Sequence, residues 1–120
     1  HLITQIIEKN LPQMPETGLL HIFLKHTSAG IMINENTDPS VRWDFENILG
    51  KLFPENENIY SHSAEGKDDM PAHLKSAFTG QQLSIPITNH KLNLGIWQGI
   101  YLCEYRYNAS PRKLILTIIS

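Results

Sequence analysis

The chain has 120 residues, of which 41% are hydrophobic and 18% charged, and its formal net charge is −2. This length suffices for one domain with its own core, and the composition is typical of globular rather than disordered proteins. The charge provides no sequence-wide basic field, so we expect no nucleic-acid partner. Apolar runs shorter than a membrane span and the lack of a signal-type start predict a cytoplasmic protein without a membrane partner.

The first half of the chain predicts two helices and two strands. An apolar i, i+3, i+4 stripe begins at Ile3 and predicts a helix that ends near Pro12. Asp38 followed by Pro39 starts a second helix, because the aspartate caps free N–H groups and proline needs no donor there. Alternating apolar residues predict strands over 19–25 and 31–35. The second helix is predicted to end near residue 52, before the next proline.

The second half predicts a third helix and then strands. The helix begins at Asp69 or Met70 and ends at Gly80, which suits a C-terminal cap. A brief apolar pair at 59–60 is a candidate short strand. Strands are predicted over 82–88, 92–94, 99–107 and 113–119, with a turn at 108–112 that makes the last two a hairpin. We therefore predict one α+β domain over 1–120, with a mainly antiparallel sheet or sandwich and about three helices.

Three features of single residues give further expectations. Cys103 lies in an apolar run, which predicts packing in a reducing compartment rather than catalysis. Because the chain opens at His1 without a methionine, we expect some N-terminal sequence to be missing from it. Trp43 lies off the main apolar stripe of the second helix and is a candidate interface residue.

Three histidines lie in segments that carry turn residues, and they are candidate metal ligands. His62 precedes the third helix and His73 lies within it, so the two converge only if the fold brings loop and helix together. Neutral imidazole is the commonest nitrogen ligand of zinc, and His26 plus a carboxylate would complete a site of three or four ligands. The alternative is surface or hydrogen-bonded histidines without a metal. The candidate carboxylates are Glu65, Asp68 and Asp69.

The segment after the first strand is a candidate phosphate site. Thr27, Ser28 and the backbone up to Gly30 would offer a nest of hydroxyl and N–H donors, although a plain β-turn has the same residues. No P-loop or Rossmann fingerprint is present, so we expect no nucleotide or flavin cofactor. A triad of Ser28, His26 and Asp38 lacks a nucleophile elbow and is disfavoured.

A second candidate region lies between two late strands. Glycines on both sides of Trp97 and Gln98 permit a tight bend that presents a ring and an amide together. These two residues would form either a pocket wall or a core or subunit contact.

Four blocks of the chain, in order, resemble the YjbQ family, whose members are described as secondary thiamine-phosphate synthases or as uncharacterised proteins. The blocks are 26–30, 34–39, 62–75 and 94–100. The resemblance implies a compact α+β domain that assembles as a homotrimer, with a histidine-rich, often metal-occupied pocket near subunit boundaries. Ile96 departs from the family pattern, since threonine usually precedes the Trp-Gln pair.

The resemblance also implies roles for particular residues. His26, His62 and His73 become the ligand or catalytic set for a divalent metal, zinc or magnesium. The residues implied to line or support the site are Glu65, Asn36, Asp38, Trp97 and Gln98.

The implied reaction joins hydroxymethylpyrimidine diphosphate to a thiazole phosphate and releases diphosphate. A metal would neutralise the departing anion, Thr27 and Ser28 would bind phosphate oxygens, and Trp97 would stack on the pyrimidine. The expected partner is thus a small phosphorylated molecule. The alternatives are a non-catalytic metal- or small-ligand-binding homotrimer, and a metal-dependent hydrolase with Glu65 as the catalytic base.

Overall fold

The computed structural model describes residues 1–55 and 58–120. The helices and strands of the described part have the bounds α1 Thr4–Lys9, β1 Thr17–Leu24, β2 Ala29–Glu35, α2 Pro39–Leu52, α3 Asp69–Thr79, β3 Gln82–Thr88, β4 Lys91–Leu92, β5 Gln98–Glu104 and β6 Leu114–Ile119. Within these residues no helix is long and apolar enough to cross a membrane.

The strands form two antiparallel sheets. One has four strands in the order β4-β3-β1-β6, and the other is a ribbon of β2 and β5. The predicted α+β domain with antiparallel strands and three helices is therefore confirmed.

Alternation along β1 builds the core. Leu20, Ile22 and Leu24 are almost fully buried, while the intervening residues face outward, as the period of two in a strand requires. Ile85 lies opposite Leu20 on β3, and Ile31 of β2 joins the same cluster from the ribbon. The core thus lies between the four-stranded sheet and the ribbon.

The predicted hairpin of the last two strands is wrong. β6 pairs with β1, placing Leu20 opposite Ile118, whereas β5 pairs with β2, placing Ile31 opposite Leu102. Ile118 packs against the core from the free side of β1, a position that a β5–β6 hairpin would not give it. Segment 105–113 therefore crosses from one sheet to the other.

Two further strand predictions are wrong, one about a short strand and one about the end of β5. The predicted short strand at 59–60 is wrong, because Ile59 lies in a turn and is 83% exposed, and Tyr60 lies outside any strand. β5 ends at Glu104 instead of residue 107, because the Arg106 N–H donates to the Glu104 carboxylate (3.1 Å) rather than to a neighbouring strand.

Close contact between α3 and β2 positions the candidate site. β2 begins at Ala29, two residues earlier than predicted, and the Ala29 carbonyl accepts a hydrogen bond from Ser76 Oγ of α3 at 2.6 Å. A Cβ on Gly30 would lie 1.9 Å from Thr79 Oγ1, so only glycine permits this approach. The contact holds the C-terminal half of α3 against the start of the ribbon.

Candidate metal centre

Two histidines and one aspartate meet at the N-terminal end of α3. Asp69 and His73 are four residues apart on this helix and share a face, and the preceding loop brings His62 to them. One ligand atom from each residue lies within 4.8 Å of the others. His73 Nε2 is 3.1 Å from Asp69 Oδ2, and His62 Nε2 contacts the same oxygen.

The second nitrogen of His73 shows what this contact requires. His73 Nδ1 lies 2.7 Å from the Thr27 carbonyl, which can only accept, so Nδ1 carries a hydrogen and donates it. In a neutral imidazole the Nε2 lone pair would then face the lone pairs of Asp69 Oδ2. A proton or a metal cation between the two atoms is needed to make this contact favourable.

The donor set fits a divalent transition metal. Two imidazole nitrogens and one carboxylate oxygen form the two-histidine, one-carboxylate pattern found at zinc and non-haem iron sites. The His73–Thr27 hydrogen bond is the kind of outer contact that orients a ligating histidine and fixes its tautomer. His62, Asp69 and His73 would therefore hold the ion.

Arg106 binds the Asp69 oxygen that the histidines do not contact. Its guanidinium donates to Asp69 Oδ1 and, at 2.9 Å, to Asp68 Oδ2. Burial opposes ionisation of Asp69, but the hydrogen bond from His62 and the charges of His73 and Arg106 outweigh it and lower the Asp69 pKa. Asp69 is thus a carboxylate at neutral pH and can serve as an anionic ligand.

Sequence reasoning missed Arg106. It lies 37 residues from Asp69, and β5 carries it to the helix only through tertiary folding. Its position between Tyr105 and Tyr107 near a turn gives no local sign that it pairs with the Asp69 carboxylate.

The three candidate carboxylates separate into different positions. Asp69 contacts both histidines, whereas Asp68 accepts from Arg106 and from the Tyr107 N–H at 3.0 Å. Glu65 Oε2 lies 3.8 Å from His62 Nε2, and its side chain is 65% exposed. Asp69 is therefore the carboxylate of the centre, and Glu65 stands at its solvent side.

His26 lies outside this group. Its Nε2 accepts a hydrogen bond from the Lys113 N–H at 2.8 Å, which occupies that lone pair. Burial, followed by the nearby charge of Arg112, lowers the His26 pKa and keeps the ring neutral. Within one chain, Asp69 rather than His26 completes the set with His62 and His73.

A cavity of about 880 Å³ adjoins the centre through His73. His26, Thr27 and Ser28 also line it, together with Arg112, whose Nη2 donates to Ser28 Oγ at 3.0 Å. Arg112 is held by two hydrogen bonds to the Glu104 carboxylate, at 2.7 and 2.5 Å. The cavity thus combines hydroxyl and guanidinium donors beside the metal-type cluster.

Gly30 does not take part in the predicted donor nest. It lies in β2 opposite Cys103, buried beneath Thr79, and so belongs to the strand rather than to a turn. The predicted turn at this residue is therefore wrong, and Thr27 and Ser28 remain the polar residues of that segment in the cavity.

The remaining predicted residues lie at the other end of the ribbon. Asn36 Nδ2 donates to the carbonyls of Ile96 and Gln98, both at 3.2 Å, and Gln98 Oε1 accepts from the Gly95 N–H at 2.7 Å. Asp38 caps α2 through the Ser40 N–H at 2.9 Å. Seven strand residues span about 20 Å, so one chain does not bring this end to the histidines.

Comparison with known proteins places the chain. The profile of the family described as UPF0047 protein YjbQ-like matches residues 1–120. The chain belongs to the YjbQ family. It is similar to the UPF0047 protein YjbQ of Salmonella typhimurium, with 49% identity over 120 residues that cover 98% of this chain and 86% of that protein.

Solved structures of the YjbQ family share the fold. The conserved hypothetical protein TT1486 from Thermus thermophilus matches with a TM-score of 0.88 and 32% identity, covering 99% of this chain and 90% of that chain. An uncharacterised YjbQ-family protein from Clostridium acetobutylicum matches with a TM-score of 0.81 and 36% identity, over 99% and 89%. Membership of the YjbQ family thus establishes the fold of this chain.

Proposed function

We propose that this YjbQ-family protein binds a divalent metal at His62, Asp69 and His73 and acts on a small phosphorylated molecule in the adjoining cavity. The observation that carries the proposal is the contact between His73 Nε2 and Asp69 Oδ2, which needs a cation or a proton. Imidazole nitrogens favour zinc over magnesium, which prefers oxygen ligands and water.

The specific reaction we propose is thiamine-phosphate synthesis. A carbon–nitrogen bond forms between the methylene carbon of hydroxymethylpyrimidine diphosphate and the ring nitrogen of the thiazole phosphate, while the bond from that carbon to diphosphate oxygen breaks. A bound divalent cation would supply charge neutralisation for the leaving diphosphate. The resemblance of the sequence blocks to the YjbQ family supports this choice of substrates.

Residues of the chain would orient the phosphate groups. Ser28 and Arg112 line the cavity beside His73 and offer hydroxyl and guanidinium donors, with Thr27 next to them. Such donors stabilise developing negative charge when they are held in place before the reaction. The Glu104 carboxylate holds Arg112 through two hydrogen bonds, so this donor is already oriented.

We further propose that the protein works as a homotrimer. Trp43 is 67% exposed and Trp97 is 60% exposed, and large exposed apolar side chains mark interaction surfaces. Asn36, Trp97 and Gln98 could join the histidine site only across a subunit boundary, since about 20 Å separates them within one chain. The reducing cytoplasm is the proposed compartment, in keeping with the free thiol of Cys103.

Metal content tests the centre first. Mass spectrometry of the folded protein should give about one divalent ion per chain, and His62→Ala and His73→Ala should lose it. His21→Ala is the matched control, because His21 lies on β1 and contacts Ser84 instead. Equal metal content in all four proteins, or none after reconstitution with zinc, would overturn the metal site. Circular dichroism checks that each variant is folded.

Kinetic assays then test the reaction. The metal-loaded protein should form thiamine phosphate from the two substrates, and His62→Ala should not. A hydrolase is the second candidate, because Glu65 stands 3.8 Å from His62 Nε2 and could activate water. Release of phosphate from phosphate esters without thiamine phosphate formation would favour hydrolysis, and neither activity would favour non-catalytic binding. Sedimentation of a monomer would refute the trimer.

A further inference from the structure

A second cavity lies beneath α2, apart from the one beside the histidines. Of the 14 residues of α2, Leu49 is the one that is buried. Open space lies between this helix and the ribbon. The cavity measures about 820 Å³, and residues of α2, β5 and the segment after β5 line it. Small-molecule pockets commonly measure about 300–1,000 Å³. The two cavities have no lining residue in common.

Two cations in this cavity face aromatic rings instead of carboxylates. The guanidinium carbon of Arg42 lies 5.8 Å from the centre of the Tyr101 ring, and Lys75 Nζ lies 5.8 Å from the centre of the Tyr105 ring. Arg42 Nε is buried and has no hydrogen-bond partner among residues 1–55 and 58–120. A buried donor without a partner is unfavourable, and an acceptor brought by a ligand would satisfy it.

The other charges of the cavity are largely neutralised. Arg106 is paired with Asp68 and Asp69, and Glu104 is paired with Arg112. Glu55 lies 3.8 Å from Lys67 and also accepts from the Tyr107 hydroxyl. Within the described residues, Arg42 and Lys75 then stand against a single further carboxylate, that of Glu46. Arg42 and Lys75 therefore have no ion-pair partner among these residues, which favours an anionic ligand beside them.

We propose that this cavity binds a flat aromatic molecule that carries one oxyanion group, a carboxylate or a phosphate. The oxyanion accepts the free hydrogen of Arg42 Nε and is attracted by Lys75. The ring packs among the aromatic walls, which include Phe45 and Tyr105. This site shares none of the proposed metal ligands, although Arg106 contacts both places, and binding here requires no metal.

Calorimetric titration tests the proposal with three probes: phenyl phosphate, benzoate and inorganic phosphate. At least one of the two ring-bearing anions should bind, and more tightly than inorganic phosphate; which one binds identifies the oxyanion. Arg42→Gln should weaken that binding about ten- to hundredfold, as expected for loss of a hydrogen bond to a charged group. Lys51→Gln is the matched control, because it removes the same charge from an exposed position on the same helix.

Nuclear magnetic resonance locates the bound probe. Amide shifts should centre on α2 and β5, and zinc affinity should be the same in Arg42→Gln and the parent protein. The proposal fails if neither ring-bearing probe binds at millimolar concentration, if Arg42→Gln and Lys51→Gln bind alike, or if the shifts centre on His26 and Arg112. Loss of zinc binding in His62→Ala with intact probe binding would separate this site from the metal centre.

Discussion

The two ends of the β2–β5 ribbon are held by different kinds of interaction. At the end near α3, side chains form ion pairs, as in Arg106 with Asp69, 37 residues apart, and Arg112 with Glu104. At the other end, side chains bind backbone groups, as Asn36 binds the carbonyls of Ile96 and Gln98. The first end concentrates charge on partly buried atoms, and the second fixes the shape of a loop.

This difference suggests that the two ends of the ribbon bind different kinds of partner. Charged groups with low exposure interact strongly because water screens them less, which supports the metal site that we propose at the α3 end. The far end exposes Ile96 and Trp97 on a loop that is clamped from beneath, which suits contact with another molecule. Substitutions at the two ends should therefore change different measurements.

Asp69→Asn should have the largest effect. The substitution keeps the size of the side chain but removes the charge that both histidines and Arg106 share. Zinc affinity, measured by competition with a chelator, should fall by more than about a hundredfold, beyond the range for outer-sphere residues. Asp44→Asn on the exposed side of α2 is the control and should bind zinc like the parent. Unchanged affinity in Asp69→Asn would remove Asp69 from the centre.

Arg106→Gln should have the next largest effect. Arg106 does not contact the ion position; it holds Asp69 Oδ1 and Asp68, so its loss leaves Asp69 less well oriented. Residues in this position change metal affinity by about ten- to hundredfold. Arg42→Gln removes an arginine that lies in the other cavity and should leave zinc affinity unchanged. Equal zinc affinities in the two variants would show that Arg106 has no positioning role.

Asn36→Ala should lower stability without changing zinc affinity, because Asn36 is not a proposed metal ligand. Its two hydrogen bonds to the 96–98 loop are long and partly exposed, so we expect a loss of about 1 kcal/mol in the free energy of unfolding. Urea unfolding measures this loss, with Asn47→Ala on the exposed surface of α2 as the control. Zinc affinity should not change. A large loss of zinc binding would show that the two ends of the ribbon are coupled.

Local patterns predicted the elements but not their pairing. The alternation of Leu20, Ile22 and Leu24 is a property of one strand, and all three are buried as it indicates. The pairing of β6 with β1 depends instead on competition between distant strands, whereas the sequence favoured the neighbouring strand. Sequence patterns therefore describe what a segment forms better than where it lies.

The same limit applies to the site. The resemblance implies one ligand set of His26, His62 and His73, and the sequence leaves the carboxylate open among three residues. In the structure Asp69 lies four residues before His73 on the same face of α3 and contacts both His62 and His73. His26 lies apart, since the Lys113 N–H binds its ring. Arg106 reaches Asp69 across 37 residues, a relation that no local spacing contains.

Acid pH should weaken the α3 end through Glu104. Burial opposes ionisation of this carboxyl, but hydrogen bonds from Arg112 and the Arg106 N–H outweigh it, so the folded-state pKa is lowered. Glu104 therefore contributes stability above its unfolded pKa, which is about 4.3, and the contribution is lost as the pH falls through the folded-state pKa. Glu104→Gln should be less stable than the parent near neutral pH, and the difference should shrink as the pH falls below about 4.3. Denaturant unfolding across this range, with the exposed Glu16→Gln as control, measures the difference. A stability difference independent of pH would show that the Glu104–Arg112 contact acts through packing rather than charge, and the contrast between the two ends would then lose its electrostatic basis.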